Sequence, residues 1–509
     1  MPVTLEAPAQ PLLLDDAQMR RFFTQGFLTF KASVPSAVNE AICAKLADPV
    51  HTPGNGGNNV LPAIPELQHV FADPVLVGAL ASVLGPTNIM HPHRATHYTP
   101  ARTERRGWHK DSYWGYHRKV RNHRPWWAMI MYYPQDVTPE MGPTGVLPGR
   151  QNHQTRGEND EAGQTTVVGE AGTFFMIQYD LWHTDKENRS DRDRYMLKFE
   201  FIRMDRPTAP TWTCGDRHWQ DPPREDWPVY PHRTMWRQMW DWTAGNAFGT
   251  SRESIDEPVG KWLERLNDAD GVRRAEAADV LGLIGDSDAK VTATLAARLG
   301  DICDPVGINR AYALAAMGEA AIDPLAQAVA GQDDHARRNA AYALASVGAP
   351  AVDRLLDLSR DDQAETRAAA CFALGEVVAD DDRILEALGA ETADNNVQVR
   401  INAVEALGHR GTEAAGWVGA LIDRLADDQD EDVEVRFNAA LSLARIGPAA
   451  QEATATLVQC LHDANRYVRG YSVEALHRIN TPDAQAALIQ HLKATRWCID
   501  STAESPFFP

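Results

Sequence analysis

The chain has few cysteines and pairs none of them closely. Cys43, Cys214, Cys303, Cys371, Cys460 and Cys498 are scattered with no C-x-x-C among them, which argues against a disulfide scaffold or a structural zinc site and suits a reducing cytosol. No run approaches the ~18 apolar residues of a membrane span. The opening stretch MPVTLEAPAQPLLLDD has no basic region leading into an apolar one, so no secretory signal is expected and the expected location is cytoplasmic. Basic residues are also in deficit, 50 against 70 acidic, and the shortfall is uneven. Residues 251–509 hold 43 acidic and 24 basic side chains, whereas the first 250 are nearly balanced at 27 and 26. So acidic a half repels phosphate backbones and excludes nucleic acid as a natural partner. With 509 residues the chain also exceeds what one hydrophobic core serves, and the charge step places a boundary near residue 250.

What the second half does have is self-similarity. RRAEAADVLGLIG, NRAYALAAMG, RRNAAYALASVG, TRAAACFALGEVV, VRINAVEALGHRG, VRFNAALSLARIG and VRGYSVEALHRIN align on one leucine: Leu281, Leu314, Leu344, Leu374, Leu407, Leu443 and Leu476. The steps are 33, 30, 30, 33, 36 and 33 residues. Small residues three and four apart, as at Ala340, Ala343 and Leu344, give each copy one apolar helical face that a neighbouring helix can approach closely. Each copy therefore reads as a helix pair that must stack on its neighbours. The pattern resembles HEAT repeats, specifically the short HEAT-like repeats of phycobilisome lyases, over residues 259–495. An Arg stands seven residues before the leucine in six copies (Arg274, Arg337, Arg367, Arg400, Arg436, Arg469). An Asp stands six before that position in six (Asp268, Asp301, Asp361, Asp394, Asp430, Asp463). A ligand-binding ladder and a structural role are both compatible with this. Because packing must recur at every unit, the structural role is preferred: Asp capping helices and Arg linking repeats.

The first half starts with a capped helix and strand in DDAQMRRFFTQGFLTFKASV, followed by helical patterns in SAVNEAICAKLAD and PELQHVFADPVLVGALASVLG. From about residue 88 the chain turns into short β-branched and aromatic runs divided by turn residues: NIMHPHRATHYTP, RPWWAMIMYYP, QTTVVGE, GTFFMIQYD and RYMLKFEFIR. Strands at this spacing suggest a sandwich or jelly roll. Among them lies GWHKDSYW. Residues i and i+2 of a strand share a face, so His109 and Asp111 can address one metal while Lys110 points away. His183 follows the strand GTFFMIQYD, and Arg194 heads RYMLKFEFIR. Two His and one carboxylate leave open positions on an iron for a bidentate 2-oxo acid and O2, and a fixed guanidinium suits the acid's far carboxylate. In RYMLKFEFIR, Tyr195, Leu197, Phe199 and Phe201 form an apolar face. Arg194, Met196, Lys198 and Glu200 form the other, as a polar barrel interior requires.

The run His183, Asn188, Ser190, Arg194 (H-x-x-x-x-N-x-S-x-x-x-R) resembles the phytanoyl-CoA dioxygenase family, as do MGPTGVLPGRQNH and the Gln25-Gly26-Phe27 turn, over about residues 15–205. The resemblance implies a double-stranded β-helix (jelly roll, cupin-like) with flanking helices. It implies Fe(II), 2-oxoglutarate and O2 as cofactors, His109, Asp111 and His183 as iron ligands, and Arg194 as the 2-oxoglutarate clamp. Ser190 and His97 are further co-substrate candidates, with Arg94 as an alternative to His97. One departure is Asp185, two residues after the distal His, where a small or hydroxyl residue is usual. Tyr113, Trp114 and Trp182 are pocket candidates, Trp114 and Trp182 being equally readable as core. The Trp-rich stretch 206–250 is open to two readings, an aromatic cage for an organic or cationic substrate and a covering segment that seals the barrel against the repeats, and the covering segment is preferred.

The chain is thus expected to be multidomain: an oxygenase domain at 1–250, an all-α HEAT-like solenoid at 259–495 and a tail at 496–509. Three functions fit: hydroxylation of a small organic molecule with release of succinate and CO2, hydroxylation of a polypeptide held by the acidic repeats, or a non-catalytic scaffold. For the repeats, self-association, covering the active site and docking a protein partner stand unranked.

Overall fold

A computed structural model describes residues 10–48, 59–104, 107–111, 123–157, 160–246, 253–285, 288–427 and 433–494. Helix α1 (Asp16–Gln25) begins at Asp15, whose carboxylate accepts from Gln18 N, while Gln18 reaches back in a capping box; it ends at Gly26, left-handed at φ +80. Helices α2 (Ser36–Ala47) and α3 (Pro74–Leu84) follow, α3 started by the Asp73 cap and Pro74.

Among the described residues are eight strands, β1 directly after α1 and the rest after α3: β1 (Phe27–Lys31), β2 (Ile89–Thr99), β3 (Trp127–Tyr133), β4 (Thr144–Val146), β5 (Thr165–Val167), β6 (Thr173–Gln178), β7 (His183–Asp185) and β8 (Arg194–Ile202). They form two antiparallel sheets, ordered β1-β6-β3-β8-β2 and β5-β4-β7. The expected alternation holds on the large sheet. Ala128, Ile130, Tyr132, Leu197, Phe199 and Phe201 face the helices, with α3 among them, in one core. Trp127, Met129, Met131, Phe175, Ile177 and Met196 face inward in a second core. The N-terminal part is therefore a cupin-like fold of antiparallel sheets, as expected.

Helix α4 (Arg233–Thr243) carries Trp236, Trp240 and Trp242, all buried. It packs on α1 and on the first two helices of the repeats. Trp212, Trp219 and Trp240 meet edge to face rather than lining a cage.

The C-terminal part is helical. Seven helices, α5 (Gly271–Ile284), α6 (Asp304–Ala316), α7 (Asp334–Val347), α8 (Ala364–Glu376), α9 (Val397–Arg410), α10 (Val433–Ile446) and α11 (Arg466–Ile479), pack each on the next. Each carries one of the recurring leucines, and all seven leucines are fully buried. The Arg and Asp columns are structural. Arg274 pairs with Asp301, Arg367 with Asp394 and Arg436 with Asp463, each reaching the following repeat. The Asp side chains act one step earlier than a helix cap. Asp301, Asp361, Asp394 and Asp463 accept from the backbone N–H two residues on, at the position that itself precedes the helix. Asp430 lies outside the described residues.

This helix row is spent on the β-sheet half of the same chain. Tyr312 Oη bonds His123 Nδ1 at 2.9 Å. Glu376 bonds Arg124 at 2.9 Å and Trp126 Nε1 at 3.1 Å. Tyr471 Oη contacts His91 Nδ1 at 2.5 Å. Gly470 of α11 comes close enough to β2 that a Cβ there would lie 2.4 Å from Pro92 Cβ. Among the described residues no helix is long and apolar enough to cross a membrane.

Candidate metal centre

The short sheet carries the site. His109 and His183 exchange both backbone hydrogen bonds, at 3.0 and 3.1 Å, so their side chains leave the same face and their rings sit 4.3 Å apart. Asp111, two residues on from His109, brings Oδ2 to 3.3 Å from His183 Nε2. One ligand atom from each of His109, Asp111 and His183 lies within 4.8 Å of the others. Lys110 points away, as the strand period predicts, its Nζ donating to Gln151 O and His153 O.

The residues fit a metal. A carbonyl can only accept, so His183 Nδ1, 2.9 Å from Leu181 O, carries the hydrogen, and so does His109 Nδ1, 3.1 Å from Gly107 O. Both imidazoles thus turn an Nε2 lone pair towards the shared centre, the orientation that outer partners impose on metal-binding histidines. His183 Nε2 is buried and makes no hydrogen bond. Burial works against charge on Asp111, but His183 in its protonated form, which gives up the Nε2 proton when that nitrogen ligates a metal, and Lys198 outweigh it and hold the carboxyl well below the usual range. Lys198 Nζ lies 3.1 Å from Asp111 Oδ2, and Tyr179 Oη donates to Asp111 O at 3.0 Å.

Arg194 is fully buried at the start of β8. Its guanidinium donates to Thr99 Oγ1 at 2.6 Å and to Asp185 Oδ1 at 2.9 Å, with Thr144 Oγ1 3.5 Å away. Asp185 does not face solvent: it is 5% exposed, and its second oxygen lies 3.9 Å from His97 Nδ1. His97 is therefore at the site, whereas Arg94 is not, its Nε bonding Met90 Sδ at 3.3 Å. Ser190 is not brought to Arg194 either. Its hydroxyl bonds Asn188 Oδ1 and Arg192 O inside the turn that leads to β8. Trp182 lies on the far side of its strand from His183; its indole donates to His153 O and lies beside Lys110. Tyr113 and Trp114 lie outside the described residues.

Beyond Lys198, the inward face of β8 continues to Glu200, fully buried, 3.6 Å from Lys198 Nζ and 3.7 Å from His91 Nε2. Neither Glu200 oxygen accepts a hydrogen bond. A polar row thus runs from Asp111 through Lys198, Glu200 and His91 to Tyr471 on the repeats. Strand parity marked Lys198 and Glu200 as inward, but nothing in the sequence joined β2 to α11.

Residues 54–196, which include all four principal site residues, match the phytanoyl-CoA dioxygenase (PhyH) family. Residues 259–345, 352–433, 385–455 and 418–504 match HEAT repeats. The chain joins a PhyH domain to a HEAT-repeat array. Solved structures similar to it include a non-haem α-ketoglutarate-dependent carbocyclase, SnoK from nogalamycin biosynthesis, at 16% identity and TM-score 0.32, over 39% of this chain and 88% of that one. Another is EctD from S. alaskensis with 2-oxoglutarate and 5-hydroxyectoine, at 18% identity and TM-score 0.33, over 41% of this chain and 82% of that one. No curated protein matches the chain. The PhyH domain supports an oxygenase, with the metal cluster in its short sheet and the HEAT array packed on its β2 side.

Proposed function

We propose that the chain is an Fe(II)- and 2-oxoglutarate-dependent oxygenase that hydroxylates an unactivated C–H bond of a small organic molecule. The observation that carries this reading is the His109, Asp111 and His183 cluster, with both Nε2 atoms free to ligate and a buried Arg194 one strand away. Iron bound there with 2-oxoglutarate and O2 supplies the oxidation, releasing succinate and CO2. The protein's share is positional. Leu181 O and Gly107 O fix the imidazoles, Lys198 and Tyr179 hold Asp111, and Thr99 and Thr144 aim Arg194 at the co-substrate's far carboxylate. The inward-facing apolar side chains of β3 and β6 keep bulk water from the centre.

The associated division is an oxygenase domain at 1–250, with 206–250 covering it, a repeat domain at 259–495 and a tail at 496–509, all of which lies outside the described residues. A small substrate is favoured over a polypeptide because the helix row available to grip a partner already holds the chain's own PhyH domain. HEAT repeats are suited to protein contact, and their remaining outer surface is where a protein partner or a second copy would dock.

The test is succinate formation by the purified full chain with Fe(II), 2-oxoglutarate and O2, screened against small molecules and polypeptides. Iron-dependent succinate that rises with a small molecule and is lost in Asp111→Ala is expected. Turnover only with polypeptides would favour the protein-hydroxylase reading. Absence of any iron-dependent succinate would favour a scaffold.

A further inference from the structure

The pairing of Asp185 with Arg194 has a consequence for co-substrate binding. His183 and Asp185 are alternate residues of β7, so both leave its inward face, roughly 6–7 Å apart along the strand. That is about the span from the chelating end of a five-carbon 2-oxo diacid to its far carboxylate. Asp185 is buried there and already holds Arg194 Nη2 through Oδ1 at 2.9 Å. Thr99 Oγ1 takes the same nitrogen at 2.6 Å, Thr144 Oγ1 lies 3.5 Å from Nη1, and Nε has no partner. A carboxylate grips a guanidinium best through two adjacent nitrogens. The two donor pairs that a guanidinium offers a carboxylate, Nε with Nη2 and Nη1 with Nη2, both include Nη2, so a second carboxylate gains a two-point grip only where Asp185 lets go. Two unprotonated carboxylates sharing one buried guanidinium also repel each other.

We propose that Asp185 is a tethered carboxylate that occupies Arg194 in place of the co-substrate's far carboxylate, and that 2-oxoglutarate binds by displacing it. The proposal rests on the Fe(II)/2-oxoglutarate reading above. His97 provides for the displaced state: its buried Nδ1 makes no hydrogen bond and lies 3.9 Å from Asp185 Oδ2, so a small movement converts that contact into a bond. Asp185 then acts as a specificity-determining residue. It lowers affinity for 2-oxo acids that need Arg194 and leaves untouched those that do not.

The test is an anaerobic titration of the Fe(II)-loaded full chain, following the visible band of the chelate and the heat of binding, with 2-oxoglutarate and with 2-oxobutyrate, which has no far carboxylate. Asp185→Ser is expected to tighten 2-oxoglutarate by about tenfold or more while leaving 2-oxobutyrate within about twofold. His97→Ala is expected to weaken 2-oxoglutarate alone. Asp185→Asn, which keeps the side chain's size, should shift the same way as Asp185→Ser and serves if the serine variant does not fold. Equal or weaker 2-oxoglutarate binding in the Asp185 variants overturns the proposal, as does a matching gain for 2-oxobutyrate. Iron-loaded protein that binds neither acid overturns the 2-oxoglutarate reading itself.

Discussion

The indole of Trp126 lies flat on the imidazole of His409, with centroids 3.9 Å apart and planes within 3° of parallel. Trp126 stands just before β3, the central strand of the large sheet, and His409 near the end of α9, so this stack clamps the PhyH domain to the HEAT array. Glu376 completes the clamp, accepting from Trp126 Nε1 and Arg124 and lying 2.8 Å from His409 Nδ1. Burial opposes charge on Glu376, but Arg124 and His409 outweigh it and hold the carboxyl below its usual range.

Removing this carboxylate strands the groups it serves. Glu376→Ala should cost about 3–5 kcal/mol, the usual loss when one partner of a buried ion pair is deleted. Glu376→Gln, which keeps the shape and some hydrogen bonds, should cost less. Denaturant unfolding of the full chain checks both, and a loss below about 1 kcal/mol for the alanine variant would place the clamp among weak surface pairs.

Gly470 tests the close packing of α11 on β2. In an open helix, Gly→Ala stabilises by about 0.8–1 kcal/mol. At Gly470 the new methyl carbon would sit 2.4 Å from Pro92 Cβ, and overpacking of that kind costs about 1–3 kcal/mol. The net sign should therefore be unfavourable. Gly419, also helical, has nothing within 4 Å of such a methyl, and Gly419→Ala should stabilise. Melting temperatures of the two variants should move in opposite directions.

Glu200 gives a pH dependence. Burial pushes its carboxyl up to about 8, with Lys198 opposing and Asp111 adding. An unfolded glutamate titrates near ~4.3. A group raised in the fold binds its proton more tightly there, so its contribution is fully present below the unfolded value and is lost as pH rises towards 8. The loss is on the order of a few kcal/mol by pH 8. Glu200→Gln has no such proton to lose. In metal-free protein its stability advantage over the native chain should be small at pH 5 and grow steadily to pH 8; a gap that is constant with pH would show that Glu200 is not the titrating group.

Much of this molecule could be read from local pattern. The leucine column, the inward face of β8 and the H-x-D triplet each depend on a period of 3.6 or 2, and each has its expected place. Trp182 was open to the same argument: next to an inward His183, a strand neighbour has to face outward. Ser190 failed because a family spacing does not say whether a hydroxyl caps its own turn or reaches a ligand, and Asn188 Oδ1 was nearer. Asp185 could not be placed without knowing that His97 and Thr99 of β2 and Thr144 of β4 close round it and Arg194 from two other segments. The docking of α8, α9 and α11 on β2 and β3 was beyond local reading altogether, because its contacts join residues hundreds of positions apart.

The measurement that bears most directly on the central claim is metal affinity of the full chain, by anaerobic calorimetry with Fe(II) and by the visible spectrum of Co(II) in its place. One metal per chain is expected, with affinity falling by at least about tenfold in each of His109→Ala, Asp111→Ala and His183→Ala, and unchanged in Ser190→Ala. Native protein that binds no metal, or triad variants that bind it as tightly as the native chain, would contradict the account.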